Sequence, residues 1–415
     1  MNSHVKRRDT CRMCNSRQLE LALPIKASPI GDAYIPAPRL GEIQECYPLD
    51  LYLCLDCGNL QNLDIVDPEI LFRDYLYVTS SSLGLVEHYR KYAEQVLNGF
   101  QWKPGSLVVE IGSNDGSLLR FFKDGGMRVL GIDPARQIAE SATEAGITTL
   151  PEFFTSSIAK EVRKQHGPAS IVAANNVFAH ADDLADIVRG IRTLLADDGI
   201  FVFEVSYLVD IVDNFLFDTV YHEHVSHYSL APLTRFFESL GMELFDVQRI
   251  GSKGGSIRGF AQRKPEGKRK VEPVVGELLA LEAKRGFATL ELYKRYSADI
   301  EARKLALQKF LDEAISQGKM VAGYGASTTT TTLMWHFDLT RRLAFIADDN
   351  PRKQGRYSPG CHIPVVPSEE LYIRRPDYVV ILAWQYAEPI VKKHEKFIAA
   401  GGKFIIPLPV LRVVG

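Results

Sequence analysis

From Gly105 onward, short unbroken apolar runs alternate with longer stretches in which apolar positions recur every three or four residues. "SLVVEIGSNDGSLLRFF" reads as a buried strand, a tight loop and a helix. "MRVLGIDPARQIAESA" repeats the scheme, and "SIVAANNVFAHADDLADIV" and "GIFVFEVSY" add two more apolar strands. Strands alternating with helices predict a parallel sheet covered on both faces. A long segment starting at Glu277 keeps a helical period and predicts a connector. Beyond it, "KMVAGYGAST", "RLAFIADDNP", "DYVVILAW" and "GGKFIIPLP" predict a second α/β unit. Ahead of the first unit, "YVTSSSLGLVEHYRKYAEQVLNGF" predicts a polar loop leading into an amphipathic helix. The first 70 residues carry only short alternating runs such as "LDLYLC". The expected organisation is a small domain over 1–70, a Rossmann-like domain over 71–268, and a helical connector plus C-terminal α/β domain over 269–415.

Composition narrows this picture without redirecting it. The 415 residues exceed one ordinary core, and 46% apolar with 24% charged residues is a globular profile. A formal net charge of -2 gives no electrostatic basis for binding nucleic acid or an anionic membrane. No apolar run approaches the roughly 20 residues that span a bilayer. "MNSHVKRRDTC" lacks the apolar stretch of a secretory signal, so a cytoplasmic protein is expected, with no obligate protein partner evident.

The cysteines fit a reducing compartment. Cys11-x2-Cys14 and Cys54-x2-Cys57 each place two thiolates on a tight turn, and two such turns make a closed four-sulfur zinc shell. With no open position, that zinc would be structural. The alternative is four reduced, buried thiols.

The loop "VVEIGSNDG" lacks the GxGxxG spacing of dinucleotide folds, and Asp115 would set a carboxylate where a pyrophosphate should lie. It suits S-adenosylmethionine, which carries an ammonium and a sulfonium and no phosphate. Glu110, Gly112, Asn114, Asp115 and Gly116 match the first motif of class I methyltransferases. Asp133 in "GIDP" is placed to accept from ribose hydroxyls, and "ANN" brings Asn175 and Asn176 to the same sheet edge. An ordinary strand-turn-helix without a ligand is the alternative.

"VYHEHVSHYSL", residues 220–230, holds three histidines, two tyrosines and a glutamate. Ser226 stands where a zinc-protease HExxH would need histidine. In a methyltransferase this segment follows the fifth strand and His180 follows the fourth, so both would reach the transferable methyl group.

Across nearly the whole chain the sequence resembles the sugar C-methyltransferases of branched-chain deoxysugar synthesis. The paired cysteines, "EIGSNDGSLL", "FEVSYL", "FDTVYHEHVSHYSL", "GGSIR", "DDNPRKQGRYSPGCHIPV" and "GGKFIIPLPVLRVV" carry the likeness. The resemblance implies methylation of carbon, commonly C3, on a nucleotide-linked 4-keto-6-deoxyhexose. It implies His224 as general base supported by Glu223, with Tyr221 and His180 at the sugar and its enolate oxygen, and Tyr75 and Tyr77 completing the wall. Removing a proton alpha to a carbonyl needs a base poised near neutral pH, which an ordinary histidine supplies. The C-terminal domain is expected to help hold the nucleotide. Arg352, Lys353 and Arg356 would neutralise its diphosphate, or else form a solvated basic loop. "GASTTTTTL" departs from the family by continuing with threonines where a lysine is expected. The same fold methylating carbon or oxygen of another small molecule is the competing reading, and an inactive zinc-bearing binding module is a third.

Overall fold

The computed structural model describes residues 4–72, 78–81 and 84–415. Tyr75 and Tyr77, expected above at the substrate, lie outside the described residues.

The central unit is a seven-stranded sheet. In chain order its strands are Leu107–Ile111, Arg128–Ile132, Thr149–Leu150, Ala169–Asn175, Leu195–Ser206, Met242–Ile250 and Ser256–Arg263. Across the sheet they run 3-2-1-4-5-7-6, the first five parallel and Ser256–Arg263 antiparallel to both its neighbours. Leu107–Ile111 is buried at every position, as a central parallel strand must be when helices cover both faces. The chain moves outward from Leu107–Ile111 to Arg128–Ile132, then crosses to Ala169–Asn175 on the other side. This reversal opens a crevice at the carboxyl ends of the strands, where α/β sheets take their ligands.

The N-terminal unit is a small antiparallel sheet of Leu19–Leu23, Leu51–Cys54 and Leu60–Asn62. Its fourth strand comes from far away: Ser226–His227, just after the histidine-rich stretch, pairs with Leu60–Asn62. The C-terminal unit is a six-stranded sheet, parallel except for its last strand, Arg412–Val414.

The expected connector is two helices, Pro273–Arg285 and Leu290–Ser316. The break falls at Gly286, whose φ of 78° ends the first helix in the left-handed conformation glycine adopts freely. The first helix is anchored to the central unit through buried Glu282. Its carboxylate accepts from the Tyr207 hydroxyl at 2.8 Å and from the Leu230 and Ala231 amides at 2.6 and 3.0 Å. No helix among the described residues is long and apolar enough to cross a membrane.

Candidate active site

The four cysteines converge. Their sulfurs all lie within 4.8 Å of one another, with Cys11–Cys57 at 3.6 Å and Cys14–Cys54 at 3.5 Å. A tetrahedron with Zn–S of ~2.3 Å has edges of about 3.8 Å, so these positions fit the metal. The titration of the set agrees. Burial pushes the Cys14 thiol up to about 12, whereas the hydrogen bond with Cys57 pulls Cys11 down to about 4. Four sulfurs packed this closely do not all ionise without a cation between them.

A cavity of about 480 Å³ lies at the carboxyl edge of the central sheet. One wall is the loop after Leu107–Ile111. Gly112 has φ of 67°, and a Cβ there would lie 2.3 Å from the Val177 side chain. Only glycine fits that approach. Asp133 holds the loop closed, accepting the Asn114 amide at 2.8 Å and the Ala135 amide at 2.9 Å. Asp115 and Gly116 are not among the residues lining the cavity. Asp115 instead accepts from the Ser117 amide and hydroxyl and from the Ser80 amide, at the start of the helix Ser117–Asp124.

Three buried polar atoms in this wall have no hydrogen-bond partner among the described residues: Glu110 Oε2, Ser113 Oγ and Asn175 Oδ1. Desolvation raises the Glu110 carboxyl well above its ordinary value, the charges of Asp115 and Asp133 adding to the rise while Asn175 opposes it. A cationic ligand would relieve that cost; a phosphate would increase it. The chemistry of this wall therefore fits the ammonium and sulfonium of S-adenosylmethionine, with Glu110, Gly112, Asn114, Asp133, Asn175 and Asn176 lining it.

The opposite wall carries His180, Tyr221, Glu223, His224 and Lys253. His224 is fixed at both ring nitrogens. Nδ1 donates to the Thr219 carbonyl at 2.7 Å, so Nε2 keeps its lone pair and accepts from the Tyr221 hydroxyl at 3.0 Å. Thr219 and Tyr221 thus hold both nitrogens of this ring. The His180 ring lies 5.2 Å away, between His224 and a stacked Phe72. His222 turns outward to donate to the Tyr47 carbonyl, and His227 sits in the edge strand; neither lines the cavity.

The surroundings of His224 differ from those of a free imidazole. Desolvation, aided by the charge of Lys253 and opposed by the Thr219 hydrogen bond, lowers His224 to about 4. This environment favours the neutral imidazole, whose Nε2 lone pair is the one that accepts from Tyr221.

Lys253 was missed from the sequence. It projects from the turn Ser252–Gly254 with a left-handed backbone, φ 53°, unusual for a residue with a side chain. Solvent reaches it, yet enough protein surrounds it for desolvation to lower its ammonium, with Glu223 and Glu204 acting the other way. Its only sequence signal was a cation flanked by glycines in "GSKGGS".

The basic loop of the C-terminal unit packs against the N-terminal unit. Lys353 pairs with Asp32 and lies over the Tyr34 ring, and Arg356 donates to the Tyr34 carbonyl at 3.2 Å. Arg352 is exposed, and none of the three is among the residues lining the cavity. The threonine run has structural work instead. Thr331 donates to the Gly31 carbonyl at 2.7 Å, and Thr332 to the Val220 carbonyl at 2.8 Å. Trp384 donates to buried Asp218 at 2.8 Å. The C-terminal unit thus grips residues 218–220, immediately before Tyr221.

A 3-2-1-4-5-7-6 sheet with a glycine loop and an acid-rimmed crevice defines a class I methyltransferase domain, here set between a zinc-binding unit and a second α/β unit. Residues 11–72 match the family model described as a putative zinc binding domain, 86–247 a methyltransferase domain, and 251–409 a C-methyltransferase C-terminal domain. The chain is 34% identical to the C-methyltransferase NovU of Streptomyces niveus over 415 residues, covering 100% of this chain and 99% of the relative. The protein belongs to this three-domain C-methyltransferase family. Likeness to solved structures is weak. Magnesium protoporphyrin IX methyltransferase from Synechocystis PCC 6803 is 14% identical, with TM-score 0.33 over 44% of this chain and 81% of that one. A putative methyltransferase bound to the Haloferax volcanii Trm112 activator is 15% identical, with TM-score 0.35 over 43% and 92%.

Proposed function

We propose that the protein methylates the carbon alpha to the keto group of a nucleotide-linked 4-keto-6-deoxy sugar, at C3, with S-adenosylmethionine as donor. The observation that carries this reading is the tautomer of His224. A neutral imidazole is locked with its Nε2 lone pair on a residue that lines the same cavity as the glycine loop.

The steps follow from these groups. The substrate C3–H bond breaks, its proton passes to His224 Nε2, and the electron pair moves to the carbonyl oxygen. The Tyr221 hydroxyl, released from Nε2, donates to that oxygen. A base lowered to about 4 needs help, and the Lys253 ammonium offers the enolate an opposite charge inside the cavity. Glu223 opposes the desolvation that lowers that ammonium. S-adenosylmethionine supplies the electrophilic methyl and departs as a neutral thioether. As the new C–C bond forms the carbonyl is restored, and the proton on Nε2 leaves to solvent.

Incubating the enzyme with a nucleotide 4-keto-6-deoxy sugar in heavy water, without a methyl donor, tests the base. Deuterium should enter at C3 with the parent chain and stay out with His224→Asn. Exchange that survives the substitution removes His224 from the role. In a second incubation with S-adenosylmethionine added, a methyl group found on oxygen rather than on C3 sinks the C-methylation of this substrate.

A further inference from the structure

Among the contacts that hold the peptide bearing the candidate base to the zinc unit is one long, buried side chain. Arg12, the residue following Cys11 in the first CxxC turn, is 3% exposed. Its backbone amide and Nη1 both donate to Gln61 Oε1, at 3.0 and 3.1 Å, and Nη1 also donates to the Val225 carbonyl at 2.8 Å. Val225 directly follows His224. The same carbonyl accepts the Asn62 amide at 3.0 Å, and the Val225 amide donates to the Ala179 carbonyl at 3.0 Å, one residue before His180. On its other side Arg12 Nε stands 3.4 Å from Asp182 Oδ1, and Asp182 lines the cavity. One buried guanidinium therefore spans both cavity segments, 179–182 and 222–227.

Long side chains ordinarily avoid such burial because ordering and desolvating them is costly. Here the CxxC turn fixes where the arginine starts, and four sulfurs in position for one cation fix the turn. Loss of the metal would free the root of the side chain while leaving its tip buried.

We propose that Arg12 is a positioning residue through which the metal-closed CxxC turn fixes the main chain at Val225, and with it the ring of His224. The proposal rests on the reading of His224 as base for its kinetic consequence alone; the placement of the 222–228 segment stands without it.

The test uses the full chain with Arg12→Met and Arg12→Lys. Arg12→Met should keep one zinc per chain. Amide hydrogen exchange across 222–228 should quicken about tenfold, the effect of losing one net hydrogen bond, while peptides from Leu107–Ile111 stay as slow as in the parent. Its kcat should fall about tenfold or more, with the KM for S-adenosylmethionine unchanged. Arg12→Lys, which can still donate once to the Val225 carbonyl, should recover most of both losses. Chelating the zinc from the parent should reproduce the local quickening and add little to it in Arg12→Met, because both changes act through the same contact. Exchange that rises uniformly over the chain, or stays slow at 222–228, overturns the proposal. Quickened exchange at 222–228 with kcat intact instead overturns His224 as base and leaves the positioning of the segment standing.

Discussion

Asp218→Asn should stabilise the protein, and more so at higher pH. The carboxyl is fully buried, with Oδ2 accepting from Trp384 and Oδ1 without a hydrogen-bond partner among the described residues. Desolvation raises it from 3.8 to about 7, against the pull of the Trp384 hydrogen bond. The folded chain therefore holds this proton more tightly than the unfolded chain. Stability is complete at low pH and is lost as pH rises from about 4 to about 7, where the buried group must ionise. At 1.36 kcal/mol per unit the loss is about 4 kcal/mol at pH 8 and about 2 kcal/mol at pH 5. Asparagine carries no charge, can still accept from Trp384, and brings an amide to the position of Oδ1. With an unfolding entropy of roughly 2.1 cal/mol/K per residue, a 415-residue chain melting as one unit gains about 1 °C per kcal/mol. Thermal melts of the pair should place the variant about 5 °C above the parent at pH 8 and about 2 °C above it at pH 5. A difference that does not change with pH, or that favours the parent at pH 8, refutes the reasoning.

Other outcomes follow from the cavity walls. Gly112→Ala places a Cβ 2.3 Å from Val177 on a left-handed backbone, so calorimetry should find S-adenosylmethionine binding weakened at least about tenfold. Binding within twofold of the parent would mean that the loop opens easily. Lys253→Met should cut kcat by about 10²–10³, the usual effect of losing a group aimed at a developing oxyanion. It should also move the acid limb of kcat/KM upward from about 4, because a charge that adds to the desolvation lowering His224 is gone. An acid limb that does not move separates Lys253 from the base.

How much of this was legible beforehand depended on how local the information was. Cysteine pairs two residues apart make their own turns, and "EIGSNDG" makes its own loop, so both were readable as short strings. Of the acidic side chains expected at the cofactor, Asp115 turns away from the cavity to the first turn of the helix behind the loop, whereas Asp133 lines the cavity and also ties the loop to its neighbour. Distant contacts left no mark. Lys353 looked like a free cation for a diphosphate until Asp32, remote in the chain, was found beside it. The threonine run looked like a lost lysine, yet its hydroxyls satisfy carbonyls at Gly31 and Val220. The depressed basicity of His224 arises from burial and a neighbouring cation, neither of which a residue's own letter discloses.

The strand that Ser226–His227 lends to the N-terminal sheet governs how this chain can be born. As the ribosome releases the first units, Leu60–Asn62 emerges with one side bare, and the segment that covers it is translated only after five strands of the central sheet. An uncovered edge of this kind invites pairing with other chains. The amino-terminal unit, although it carries its own cysteines, cannot finish itself, and expressed alone it should pair with other copies through that bare edge.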